Sequence, residues 1–319
     1  MNSRPSIDLA LNVFAKPLQT SLSILSLLRH SGQYIDTIYL QFESYGSAFD
    51  TASPYVIAEY LGERARIYQP KYWFELKAAD PSRYSDPEYR LSVRYQHAFE
   101  NSDKRYLLTI HNDVLVMKDI VGAMLERIDG HFAVGQIGQC WNCPAANAEA
   151  VAAALPGRVP CTPETYADFP LTPDDLTRLY RIAAERGVFV RPYPEGWEPY
   201  YAENGWPLPE CRVSEWACLM DLSLTRPLTI PNGPIPPFGA FEACGPICLD
   251  TAVGWFRELN RRGLRARHLD IAPYLKHWVG NGKMTQAKYL KAEDNARRIL
   301  ERSFPDFVSW CKSRGNGMF

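Results

Sequence analysis

Three polar side chains interrupt an apolar run in this sequence, and their types and spacing suit metal chemistry. Residues 106–117 read YLLTIHNDVLVM, with His111, Asn112 and Asp113 at the centre. Residues 106–110 show no polar alternation and are rich in aromatic and β-branched types, the pattern of a strand buried on both faces. Burying an imidazole, an amide and a carboxylate there without partners would cost several kcal/mol. The strand is therefore expected to stop at Ile110 and to present the triplet at the carboxyl edge of a sheet, where open α/β sheets bind ligands. A carboxylate in that position, beside an Asn and a His, suits Mg2+ or Mn2+. Asp113 is the candidate ligand, against the alternative that it only caps the following turn.

A second group with metal-binding spacing is Cys140-Trp141-Asn142-Cys143, whose two-residue gap lets two thiolates share one tetrahedral ion. Cys161 and Cys211, with Cys218 nearby, could complete a structural Zn2+ site. The alternative is a set of buried thiols acting as small apolar side chains.

The elements needed to position these residues are legible around them. Residues 7–14, 35–42 and 65–68 read as strands, separated by helical stretches at 20–30 and 55–61. That order predicts a parallel sheet with crossover helices. A helix over 88–100, carrying Arg90, Arg94 and His97 on one face, leads into the strand at Tyr106. Further helices are expected from Asp119, from Thr172 with a capping box and Pro173 at its first position, over 249–262 and over 285–302. Of 25 prolines, 16 fall between Pro144 and Pro237, which marks that third as loop-rich. The expected organisation is 1–140 as a ligand-binding half carrying the HND motif, 141–238 as a Pro/Cys-rich insertion, and 239–319 as the rest of the catalytic domain with a terminal helix.

With these pieces in order, the chain resembles the GT-A glycosyltransferases, close to the family-2-like enzymes that use nucleotide-sugar donors. The resemblance rests on YLLTIHNDVLV, which stands where the family carries its D-x-D motif, and on LDTAVGWFRELNRRGLRARHLDIAPYLKH, an acid, helix, glycine, strand, histidine succession. It covers about residues 6–140 and 240–280. It implies an α/β, Rossmann-like fold with a mostly parallel sheet flanked by helices, and Asp113 as the ligand of the metal and the donor diphosphate. His111 departs from the Asp of the family's first motif position. His277 matches the late histidine that often completes the metal site, and Asp250 stands near the catalytic base, with Glu242 and Glu215 as competitors. In the same reading Asn12, Phe14, Lys16, Pro17, Glu43 and Arg94 lie beside the donor, along with His111 and Asn112. Asn12 and Pro17 could instead only shape a turn, and Arg94 only solvate a helix face. Trp206, Trp216 and Phe238, among neighbouring aromatics, are candidates to line the acceptor side, because sugar rings stack on aromatic faces; the competing role is core packing.

The implied partners are a UDP-, GDP- or dTDP-linked sugar and a saccharide or glycan acceptor. A nucleotidyltransferase fits less well, since residues 12–20 contain no glycine for a phosphate loop. A catalytically silent sugar- or partner-binding protein on the same fold is the reading from another class. Composition narrows the field further. With 35 basic and 36 acidic residues, nothing pulls the chain towards nucleic acid. No apolar run approaches the ~18 residues of a membrane span. Eight cysteines without a secretory leader point to a reducing, cytoplasmic setting.

Overall fold

The computed structural model describes residues 6–43, 53–74, 77–138, 143–188, 211–244, 247–277, 285–315 and 317–319. Cys140, Trp206 and the aromatics at 197, 200 and 201 lie outside the described residues. The strands are β1 (Ile7–Val13), β2 (Ile35–Phe42), β3 (Ala65–Tyr68), β4 (Tyr106–Ile110), β5 (Val114–Val116), β6 (Ala133–Ile137), β7 (Val213–Asp221), β8 (Glu242–Cys244), β9 (Ile247–Leu249), β10 (Ala266–His268) and β11 (Leu275–His277). The chain divides into two units, residues 1–73, 87–126 and 270–319 in the first and 74–86 and 127–269 in the second. Four strands of sheet fall in the first and three in the second, and the pairings are mostly parallel: an α/β fold, as expected from the sequence.

In the first unit the order is β4-β1-β2-β3, all parallel. Register brings Val13 opposite Phe42 and Leu11 opposite Ile110, so β1 and β2 finish level and β4 ends two residues earlier along the same edge. That edge carries residues 12–16, Glu43 and the His111–Asp113 triplet. Beyond the triplet the chain re-enters as the short β5, which pairs antiparallel with β11 and sets His277 opposite Val114.

Helix α1 (Pro17–Ser31) follows β1, with Pro17 in its first turn, where a missing N–H costs nothing. Its buried side mixes Leu18, Leu22, Ile24 and Leu27 with small hydroxyls. Ser23 Oγ donates to the His111 carbonyl at 2.9 Å, and Ser26 Oγ accepts from Val116 N at 3.1 Å. The serines thus let the helix approach strand backbone closely while satisfying its polar groups. The expected helix over 88–100 is two short helices, Pro87–Leu91 and Gln96–Asn101. Tyr95 between them takes a left-handed backbone, φ 64°, so Arg90 and Arg94 do not share a face. Arg90 pairs with Glu100, and Arg94 turns to Glu43.

In the second unit β10 pairs parallel with β6, and β6 antiparallel with β7. The helix Pro173–Glu185 has the capping box read from Thr172 and Asp175. The helix expected over 249–262 is shorter: Leu249 belongs to β9, and the helix runs Val253–Arg261. Its Trp255 and Phe256 pack against Phe132 and Phe238 in an aromatic core.

Candidate functional site

The triplet sits in the tight turn between β4 and β5, and its three members have different surroundings. Asn112 faces inward: its Nδ2 donates to Thr20 Oγ1 at 3.1 Å and to the carbonyls of Ala15 and Phe14 at 3.3 and 3.4 Å. It ties the β4 exit to the β1–α1 turn. Asp113 is only 3% exposed, yet each of its oxygens has a cationic or imidazole neighbour. Oδ2 accepts from Lys16 Nζ at 2.7 Å, and Oδ1 from His277 Nε2 at 3.0 Å. His111 Nδ1 stands 4.0 Å from the same Oδ1. The two imidazole rings lie 5.5 Å apart between centroids. Burial pushes the Asp113 carboxyl up, but the His277 hydrogen bond and the Lys16 and His111 charges outweigh it. The group is held well below the usual carboxylate range, ionised and available as a ligand.

Two long-range contacts shape the β1–α1 turn that delivers Lys16. Ala15 and Lys16 are both left-handed, φ 55° and 57°, a conformation that costs a residue with a Cβ about 1 kcal/mol or more. Tyr289 Oη accepts from Lys16 N at 2.9 Å. The buried Glu293 accepts from Leu18 N, Gln19 N and Gln19 Nε2 at 3.0–3.1 Å, placing a carboxylate at the start of α1, where the helix dipole favours it. Neither Tyr289 nor Glu293 had any local mark in the sequence, since each acts some 273–275 positions away.

Glu43 organises the neighbouring part of the edge. Its Oε1 accepts from Asn12 Nδ2 at 2.8 Å and Arg94 Nε at 2.9 Å, and its Oε2 from Trp73 Nε1 at 3.0 Å. Asn12 Oδ1 is buried with no hydrogen-bond partner among the described residues. Phe14, 38% exposed, stacks on Trp73 with ring centroids 6.1 Å apart and planes 13° off parallel. The structure therefore brings Asn12, Phe14, Lys16, Glu43, Arg94 and the triplet to one sheet edge, with Pro17 buried at the head of α1. Trp73 is an addition, not among the residues singled out from the sequence.

The three base candidates belong to the second unit. Arg212, itself buried, bonds Glu215 and donates through Nη2 to Asp250 Oδ2 at 2.9 Å. Glu215 is buried on β7, and Glu242 on β8 is held by Arg257. Asp250 keeps half of its side chain exposed, with Thr251 N donating to Oδ1 at 2.7 Å. Arg212 escaped notice in the sequence because its role depends on partners 3 and 38 positions away. Phe238 is fully buried against Trp255 and Phe256, and Trp216 lies half-buried on β7.

Among the described residues two groups place three metal-binding side chains within reach of one ion: His111, Asp113 and His277, and Asp8, Asp36 and Asp103. Lys104 bridges Asp36 and Asp103 in the second, at 2.6 and 3.0 Å. Neither group contains a cysteine. Cys143, Cys161, Cys211 and Cys218 are buried free thiols, and burial pushes the Cys218 thiol up, which disfavours the thiolate a metal requires. No helix among the described residues is long and apolar enough to cross a membrane.

No protein-family model and no curated protein matches the chain in sequence. Among solved structures, S. aureus TarS 1–349 in complex with UDP-GlcNAc matches over 92% of this chain and 66% of its own, at 10% identity and a TM-score of 0.40. The chain thus spans just under two thirds of that protein. The mannosyltransferase PcManGT from Pyrobaculum calidifontis, in complex with GDP-Man and Mn2+, matches over 100% of this chain and 82% of its own, at 9% identity and a TM-score of 0.43. Both TM-scores lie below 0.5, so these two likenesses carry no argument about what the chain does.

Proposed function

We propose that this protein is a glycosyltransferase that moves a sugar from a nucleotide-sugar donor to an acceptor hydroxyl, with a divalent ion at Asp113 and His277. The observation that carries the reading is the buried Asp113 just beyond the carboxyl end of β4, 3.0 Å from a histidine 164 residues later. The donor set suits Mn2+ or Mg2+, and a metal there would neutralise charge growing on the departing diphosphate. As a ligand, His277 would hold the ion through the lone pair of Nε2 on a neutral imidazole.

The chain's own groups have assignable parts. Lys16 Nζ, beside Asp113, supplies a fixed positive charge for phosphate oxygens. The Phe14–Trp73 pair offers ring faces to a nucleobase, and Asn12, Glu43 and Arg94 form the polar wall next to it. Asp250 is our first choice for the base that takes the acceptor proton, since Glu215 and Glu242 are more enclosed. Trp216, and Trp206 from outside the described residues, remain our candidates for the acceptor side. A cytoplasmic setting is the lesser part of the proposal.

A thermal-shift panel of UDP-, GDP-, CMP- and dTDP-linked sugars, with and without Mn2+, tests the function. One donor should stabilise the protein with metal and not in Asp113→Asn, and that donor should be turned over. Tight binding with no turnover would favour the silent sugar-binding protein, a reading that His111 at the first motif position supports. No stabilisation by any donor would sink the proposal.

A further inference from the structure

We infer that the centre at Asp113 is a His-Asp-His site, with His111 as its third protein ligand, selective for first-row transition ions such as Mn2+ or Co2+ over Mg2+. This rests on the reading that Asp113 and His277 bind a divalent ion, and adds a ligand and a selectivity to it. The two oxygens of Asp113 face different chemistry. On the Oδ1 side stand His277 Nε2 at 3.0 Å and His111 Nδ1 at 4.0 Å, and the ligand atoms of the three residues all lie within 4.8 Å of one another. Metal bonds to imidazole nitrogen and carboxylate oxygen run at roughly 2.0–2.2 Å, so donors around one ion sit about 3–4.4 Å apart. The three side chains are already close to that spacing.

Oδ2 is engaged by Lys16 Nζ at 2.7 Å. The carboxylate is therefore left to bind an ion through one oxygen, and the ammonium offsets its charge. With both imidazoles neutral, as ligation demands, the nearby protein groups sum to no net charge. Mg2+ depends on charged oxygen ligands and sheds its waters reluctantly. Here it would find one partly neutralised oxygen and two nitrogens. Imidazole lone pairs instead suit transition ions, whose affinities for such sites rise from Mn2+ through Co2+.

The arrangement is held in place from the backbone. Ser23 fixes the His111 carbonyl, Asn112 is tied down by Thr20 and the β1–α1 turn, and the β5–β11 pairing positions His277. Both imidazoles are about one third exposed, against 4% for the Asp113 side chain. The exposed flank leaves room for the remaining ligands of an ion, such as water or phosphate oxygens.

Mn2+ binding to the full-length protein, followed by electron paramagnetic resonance, tests this. The wild type should bind one ion with echo modulation from two imidazole nitrogens, and a large excess of Mg2+ should fail to displace it. His111→Ala should lose part of the nitrogen modulation and roughly tenfold or more in Mn2+ affinity. His111→Asp should also lose nitrogen modulation, and Mg2+ should then compete. Circular dichroism checks that both variants fold. Mn2+ bound with unchanged modulation and selectivity in both variants would overturn the inference while leaving a metal at Asp113 and His277 intact. No Mn2+ binding by the wild type would overturn both.

Discussion

At the scale of single residues, the site is a problem in placing charge. Lys16 and the proposed ion on the Oδ1 side of Asp113 would repel one another through a carboxylate only 3% exposed. Lys16→Met should therefore raise Mn2+ affinity by about tenfold or more, since charges this close in a partly buried site interact by several kcal/mol. In the donor-binding reading the same change should weaken nucleotide-sugar binding. Calorimetry with Mn2+ and then with the donor separates the two effects; losses in both would contradict the role given to Lys16. A different buried acid offers a test by pH. Asp8 on β1 accepts from Ser102 Oγ at 2.7 Å and Thr37 N at 3.0 Å, yet burial pushes its carboxyl up against those bonds and Lys104. An acid whose folded value exceeds its unfolded value, about 3.9, stabilises the fold below that value. That contribution is lost as pH rises through the folded value. Urea unfolding of wild type and Asp8→Asn should thus show the variant gaining on the wild type as pH rises from about 4 to neutrality. A difference that does not change with pH would exclude this.

At the scale of elements, the site depends on the start of α1 and on one short strand pair. Glu293, on the helix Gln286–Ser303, accepts three N–H bonds from Leu18 and Gln19. Glu293→Ala would leave those buried donors unmet, and should cost roughly 2–3 kcal/mol as well as loosening the left-handed Lys16. Denaturant melts measure the first effect, and Mn2+ affinity the second. The capping box of the helix Pro173–Glu185 is a simpler case: Thr172→Ala should cost about 1 kcal/mol with no change at Asp113. This cap was legible because both of its partners lie within one turn. The break at Tyr95 was not legible, because the Leu91–Phe99 stretch has helical periodicity. Its left-handed residue is instead accompanied by long-range bonds, Gln41 Nε2 to Ser92 O and Arg94 to Glu43.

At the scale of the molecule, each unit has its own core. In the second, Trp255 is enclosed by Phe132, Phe238 and Phe256, and its Nε1 donates to Thr229 Oγ1 at 2.9 Å. Trp255→Ala should cost about 3–5 kcal/mol. Hydrogen exchange should show the loss concentrated in residues 127–269, while Mn2+ binding by the first unit persists under native conditions. Loss of that binding in a folded variant would show the site to depend on the second core. Phe238, a candidate for the acceptor side, is part of this core. A bulky aromatic near a proposed cleft reads the same in sequence whether it lines the cleft or fills the interior, because both roles ask for the same apolar surface.

Local order sufficed for the strand–helix alternation, the abrupt end of β4 at a polar triplet and the capped helix at Thr172. Each rests on periodicity or on interactions within a few residues, and such patterns are written along the chain. The pairing of His277 with Asp113 had been implied by family resemblance and was not derivable from spacing. It is decided by the antiparallel match of β5 and β11, which sets His277 opposite Val114. Lys16 on Oδ2, Tyr289 and Glu293 on the β1–α1 turn, Trp73 on Glu43 and Arg212 on Asp250 likewise needed tertiary structure. Contacts across 30 to 275 positions leave no local pattern, because their partners meet only once the sheet and helices have packed.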